Sequence, residues 1–420
     1  MTALLRSLVV LLAASVASCQ LVGGIDDRQQ TGVDMPGVME AGSGARGGAG
    51  SGGANKLCSQ YCDAVTRACT KEYSVYGNEE QCLAVCPHLK QGKASDGVGN
   101  TVGCRYNAAR DISTEPVDCR FAGPGGGGVC GDSCDSYCEL MSQGCSGDDY
   151  KAFWLDDLDK CKRICRALPD LDEDGDLDAD ETRYSALNND ARDHNGDTVQ
   201  CRLFHATAAN ASVAGPAGHC WHAALAPRPD KNGSANPCLG AVGQTAPTCK
   251  DYCKLNATAC TGDVATYEDE TQCLAVCKTF DPGMLTDDGS GGLAKNSTLG
   301  CRKTHTYNAL LATLPDVNAL HCGHSGPGGA GLCGDDCASY CSQLEKGCPS
   351  QFSSMGGAAK CQSECKALLP DGKPIAYSVK LAKSGTSPLA CRMLGVARAL
   401  ADSKAAPMAC EVAAGRGDCK

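Results

Sequence analysis

Apolar and polar positions fall into three regimes along the chain. A continuous apolar run from Leu8 to Val16, behind the single positive charge of Arg6, is too short to span a bilayer as a helix and reads as the core of a cleaved export signal. Residues 36–54, PGVMEAGSGARGGAGSGGA, carry too little apolar surface to order themselves and read as a flexible tether. From Cys58 onward the positions that recur are cysteines, in an opening C-x3-C-x6-C followed by a second C-x3-C. Cysteines at i, i+4 and i+11 fall within about 40° of one another on a helical wheel, which predicts a first helix with three sulfurs on one face. The second C-x3-C predicts a second helix. Asn78-Glu79-Glu80 and Glu268-Asp269-Glu270 supply its start, and Pro169, Asp281-Pro282 and Pro370-Asp371-Gly372 its stop. A third helix is expected to begin four residues before the sixth cysteine, where Asn100, Asp197, Ser297 and Ser387 stand as candidate N-caps.

Composition changes what must hold these helices together. Only 19 of 420 residues are Phe, Tyr or Trp, against 33 cysteines. That is too thin an aromatic complement for several conventional cores, so covalent staples must carry much of the load. The net charge of −11 argues against a basic nucleic-acid surface or a polybasic membrane patch.

The 32 cysteines from Cys58 to Cys419 divide into four sets of eight with the same opening, the gap from the third cysteine to the second C-x3-C being twelve residues in three sets and fifteen in the second. Such a period marks a tandem array of modules, 57–130, 131–248 with an acidic insertion, 249–333 and 334–420. The expected class is mainly α and disulfide-rich: four small three-helix modules, each with a cysteine-bearing C-terminal loop, after a signal peptide and flexible linker. Beyond the inner membrane thiols meet oxidising conditions, and eight per module is an even number. Antiparallel helices that each carry C-x3-C can be laced at two rungs. The expectation is first to fifth and second to fourth, which pairs Cys58, Cys62, Cys82 and Cys86 in module one and Cys134, Cys138, Cys161 and Cys165 in module two. Cys249, Cys253, Cys273 and Cys277 follow in module three, and Cys337, Cys341, Cys361 and Cys365 in module four. The other two bonds per module stay open at this level.

Tyrosine precedes the second cysteine in every set (Tyr61, Tyr137, Tyr252, Tyr340) and arginine follows the sixth (Arg105, Arg202, Arg302, Arg392). The favoured expectation is internal, a half-buried ring stacked or hydrogen-bonded by the guanidinium; the competing one is a repeated ligand-binding pair.

Three motifs bear on metals. Asp170, Asp172, Asp174, Asp176, Asp178 and Glu181, with Gly175 at the turn, match D-x-D-x-D-G-x5-E and resemble an EF-hand-type calcium loop. The resemblance implies carboxylates around one weakly bound calcium ion, although Pro169 precedes the loop and no paired second hand is present. His205, His219 and His222 cluster with the sixth and seventh cysteines of module two, and His305, His321 and His324 repeat the arrangement in module three. Three imidazoles suit zinc or copper, yet modules one and four keep every cysteine without them, so folding does not require them. Reduced cysteines would offer a further route to soft metals. The two G-x-G-x-x-G matches at Gly123 and Gly326 follow no strand and read as turns. No G-x-S-x-G, H-E-x-x-H, Walker A or C-x-x-C-H motif is present, and no alternating strand–helix pattern suggests a β/α barrel, so no enzymatic activity is expected.

Val16-Ala17-Ser18-Cys19 resembles the lipobox of bacterial lipoproteins. The resemblance implies a signal peptide over 1–18, a mature chain beginning at an acylated Cys19 that bears palmitate-type chains, and a tether over 19–56. As a coil, Gln20 to Lys56 would reach about 30–35 Å from the membrane. Gln20 stands where an Asp often retains such proteins at the inner membrane, which favours the outer membrane. With its lipobox, glycine tether and cysteine modules, the chain is similar to the secreted cysteine-rich lipoproteins of myxobacteria. The expected role is a lipid-anchored structural or interaction protein of the cell envelope with a protein or polysaccharide partner and no nucleic acid. An extracytoplasmic metal-binding role is the alternative.

Overall fold

The computed structural model describes residues 52–111, 119–170, 196–211, 217–225, 236–239, 247–283, 297–416 and 419. Among these residues the regular elements are helical and there is no strand. The first helices of the four repeats are Gly52–Ala68, Ser133–Gly144, Cys249–Ala259 and Asp336–Gly347. Asp132, Thr248 and Asp335 start the last three by accepting backbone N–H groups of the first turn. The second helices are Glu79–Val85, Leu158–Cys165, Glu270–Cys277 and Ala358–Lys366, capped by Asn78, Asp157 and Asp269 and, in the fourth repeat, by Gly357.

Sulfur joins these helices. The first cysteine is bonded to the fifth and the second to the fourth in every repeat, as in Cys58–Cys86 and Cys62–Cys82. The two bonds that the sequence leaves open are third to seventh and sixth to eighth. All 32 cysteines from Cys58 to Cys419 are thereby paired, with no bond crossing from one set to another. Cα–Cα separations of 5.4–6.0 Å lie inside the ordinary disulfide range.

Three expectations need correction. The third cysteine does not sit on the helix face with the first two. Cys145, Cys260 and Cys348 are C-cap residues and Cys69 follows Ala68, which turns each sulfur away from the second helix toward the seventh cysteine. Secondly, the seventh cysteine lies on a fourth helix and not in a loop: Cys119–Ala122, Ala217–His222, Pro315–Ser325 and Ala406–Ala413. In the first two repeats the segment is only four and six residues long, too short to leave a helical pattern. Thirdly, the third helices are Val102–Asp111, Val199–Ala211, Leu299–Leu311 and Pro388–Ala401. Ser387 caps the last as expected, but in the other three the threonine one residue later takes the part. Thr101, Thr198 and Thr298 accept from the N–H of Cys104, Cys201 and Cys301 at 3.1 Å. The fourth repeat has Pro388 in place of that threonine, so its cap falls back to Ser387.

The sixth-to-eighth bond anchors a turn of positive φ that glycine adopts without strain, although Ala330 takes the place of Gly127 in the third repeat. Gly126, Gly127 and Gly128 all adopt positive φ, and the first G-x-G-x-x-G match is thus a backbone turn. Neighbouring repeats also touch. A buried apolar cluster runs from Leu57 to Cys322, the fourth repeat has a cluster of its own, and Arg398 clasps Glu268 of the third repeat through two bonds of 2.7 and 2.8 Å.

Candidate functional site

The recurrent tyrosine and arginine converge on one segment, the three residues that begin three positions after the seventh cysteine. Tyr61 donates its hydroxyl to Ala122 O, Tyr137 to Ala223 O, Tyr252 to Ser325 O and Tyr340 to Ala413 O, at 2.5–2.7 Å. In the first three repeats the arginine grips the next two carbonyls. Arg105 donates to Gly123 O and Pro124 O, Arg202 to Ala224 O and Leu225 O, and Arg302 to Gly326 O and Pro327 O. Of the two internal contacts expected, guanidinium stacked on tyrosine or hydrogen-bonded to it, the stack is not seen among the described residues, and the hydrogen bond is found in the fourth repeat between Arg392 and Tyr340. The guanidiniums of Arg202 and Arg302 instead lie over Tyr307 and Phe280, and the tyrosine rings are fully buried. Burial pushes the Tyr137, Tyr252 and Tyr340 phenols up, keeping each hydroxyl protonated and able to donate. In the first three repeats the pair spends its polar atoms inside the fold and acts as a brace, whereas in the fourth Tyr340 keeps its bond and Arg392 Nε lies buried without a partner. Tyr137→Phe is therefore expected to cost about 1–3 kcal/mol, because Ala223 O would stay buried without its donor. A thermal melt in denaturant will read the loss.

Asn100 and Asp197, which the sequence nominated as caps, hold the arginines. Each accepts Nη2 of Arg105 or Arg202 at 2.7 Å. Asp197 does more: it accepts Lys303 Nζ at 2.7 Å and the Tyr307 hydroxyl at 2.6 and 2.7 Å, both from the third repeat. Burial alone would raise its pKa, but Lys303 and Arg202 overcome that and hold the carboxyl down at about 2. This buried junction between the second and third repeats escaped the sequence analysis, because Lys303 and Tyr307 lie 106 and 110 positions from Asp197, and nothing local to either marks the pairing.

The histidines gather as two separate triads. His205 and His305 project from the third helices one turn after the sixth cysteine; His219 with His222, and His321 with His324, share one face of the fourth helices. Ring centroids are 5.5, 4.6 and 6.1 Å apart in the first triad and 5.3, 4.8 and 6.1 Å in the second. In each, one ligating atom per ring lies within 4.8 Å of the others. His205 Nδ1 and His219 Nδ1 are 3.2 Å apart, and His305 Nδ1 and His321 Nδ1 3.0 Å. Burial lowers the pKa of His219, His222 and His324, which favours neutral rings.

Of the acidic series, Asp170 accepts Gln200 Nε2 at 2.7 Å, while Asp172, Asp174, Asp176, Asp178 and Glu181 lie outside the described residues, as does Cys19. The soft-metal reading through reduced cysteines is overturned for Cys58 to Cys419, since every one of those sulfurs is in a disulfide and no thiolate is left to ligate.

Residues 48–133 and 242–336 match the BfoA family C-terminal domain. Together they make up less than half of the chain. Each match spans one full eight-cysteine set, the first and the third, so the similarity falls on single repeats. The second and fourth sets lie outside the matches yet carry the same four bonds. The chain is accordingly a cysteine-rich repeat protein. No curated protein and no solved structure matches it. Sixteen disulfides suit a compartment outside the cytoplasm, and among the described residues no helix is long and apolar enough to cross a membrane.

Proposed function

We propose that the chain is a lipid-anchored, exported scaffold that presents four bridged repeats to a protein or polysaccharide partner at the cell envelope, without catalytic turnover. The observation that carries this reading is the complete use of 32 cysteines in bonds that close each repeat on itself, a construction made for oxidising surroundings. The match of two repeats to a cysteine-rich domain family is consistent with a structural or binding role. The four recurrent tyrosines and the arginines of the first three repeats support it too, because they are spent on bracing. The lipobox at Val16-Ala17-Ser18-Cys19 supplies the anchor, Gln20 the outer-membrane address, and the similarity to myxobacterial cysteine-rich lipoproteins the setting. The acidic series from Asp170 to Glu181 is assigned one weak calcium ion on its residue order alone.

Labelled palmitate fed to cells making the full precursor tests the anchor. Label is expected on the mature chain, which should sediment with membranes, and Cys19→Ala should abolish the label and the sedimentation together. A Cys19→Ala chain that remains membrane-bound, or an unlabelled native chain, contradicts the proposal.

A further inference from the structure

We infer that each histidine triad, His205/His219/His222 and His305/His321/His324, binds one divalent transition-metal ion of the zinc class through three imidazole nitrogens. Four observations carry the assignment. The rings come from two helices held together by the brace and the disulfides, so their spacing is fixed by the fold. The two triads agree in every centroid separation to within 0.2 Å although different repeats build them. Thirdly, the close Nδ1 pairs stand 3.2 and 3.0 Å apart. With zinc–nitrogen bonds near 2.0–2.1 Å, two ligands at a tetrahedral angle are about 3.3–3.4 Å apart, so a small shift admits the ion between them. Lastly, the third ring of each triad has a buried Nδ1, in His222 and His324, that meets no hydrogen-bond partner. Such a nitrogen costs stability unless something completes it.

The other repeats show that the triad is not a packing requirement. Where His205 and His305 stand, the first and fourth repeats carry Ala108 and Gly395, and where His222 and His324 stand they carry Phe121 and Val412. The same helices and bridges form around those residues. The bonded sulfurs of Cys201–Cys238 and Cys301–Cys333 lie beside the triads but are oxidised, so ligation falls to nitrogen. Three imidazoles leave a fourth position for water or a partner's donor group, and the half-exposed His219, His222 and His324 give the ion its way in.

The full chain, stripped with chelator and dialysed against micromolar zinc with calcium in excess to occupy the acidic series, is expected to hold two zinc ions by mass spectrometry of the metal. His222→Phe or His324→Phe, each taking the residue that the first repeat already uses, should each lower the count to one, and the double variant to zero. All variants should keep sixteen disulfides and the metal-free melting temperature of the native chain. Cobalt in place of zinc should give visible d–d bands that vanish in the double variant. If the phenylalanine variants fail to fold, His219→Gln and His321→Gln replace them, with the same counts expected. A native chain that binds no zinc, or a double variant that still binds two ions, overturns the assignment.

Discussion

Reducing the folded chain is expected to erase its helical circular-dichroism signal and its resistance to heat. The second helices of the first three repeats are seven or eight residues long, too short to persist alone in water. The core around them is built in large part of cysteine itself: Cys58, Cys62, Cys69, Cys82 and Cys86 are among the buried residues of the first repeat alone. In the chain-entropy account each bridge contributes about 2–4 kcal/mol, with larger values for longer loops. Bonds between the third and seventh cysteines close the longest loops, with separations of 50, 75, 62 and 62 residues. Serine replacements at Cys145 and Cys220 should therefore lower the melting temperature more than replacements at Cys138 and Cys161, whose loop is 23 residues. Circular dichroism before and after phosphine treatment reads the first effect, and parallel thermal scans read the second. A chain that melts cooperatively at the same temperature after full reduction would show that apolar packing suffices.

The other large effect is expected at the junction of the second and third repeats. Asp197→Asn would leave Arg202 and Lys303 buried without their counter-charge, and breaking a buried pair in that way costs about 3–5 kcal/mol. Amide exchange should accelerate in Val199–Ala211 and Leu299–Leu311 together, since the one carboxylate is bonded from both helices. Acid titration gives the sign independently. The folded pKa of Asp197, about 2, lies below the ordinary carboxylate value, so the stabilisation is complete above about pH 4 and is lost as pH falls toward 2. The native chain should thus lose stability across that window by more than the Asp197→Asn variant does. Equal acid sensitivity, or exchange confined to one helix, would mean that the junction bears no load.

Legibility in the sequence followed the range of the interaction. C-x3-C puts two sulfurs one helical turn apart, so the helical, disulfide-rich class and the two-rung lacing could be read from spacing alone. Thr101 and Thr198 cap the third helices in place of their neighbours because Asn100 and Asp197 turn to the arginine five residues on, so two adjacent polar residues compete for one cap and residue type alone does not say which takes it. The shared target of tyrosine and arginine was hidden likewise. Ala122, Ala223, Ser325 and Ala413 present only a backbone carbonyl, to which any residue would serve. The triads were legible as clusters, since His219 and His222 flank a cysteine, but their ring geometry depends on how the third helix packs on the fourth.

Peptide mapping by mass spectrometry under non-reducing conditions tests the bridged architecture most directly. The account predicts four linked pairs in every repeat, first to fifth, second to fourth, third to seventh and sixth to eighth, beginning with Cys58–Cys86, Cys62–Cys82, Cys69–Cys119 and Cys104–Cys130. A pair that joins two different repeats, or unbridged thiols between Cys58 and Cys419 in protein taken from its native compartment, would contradict it.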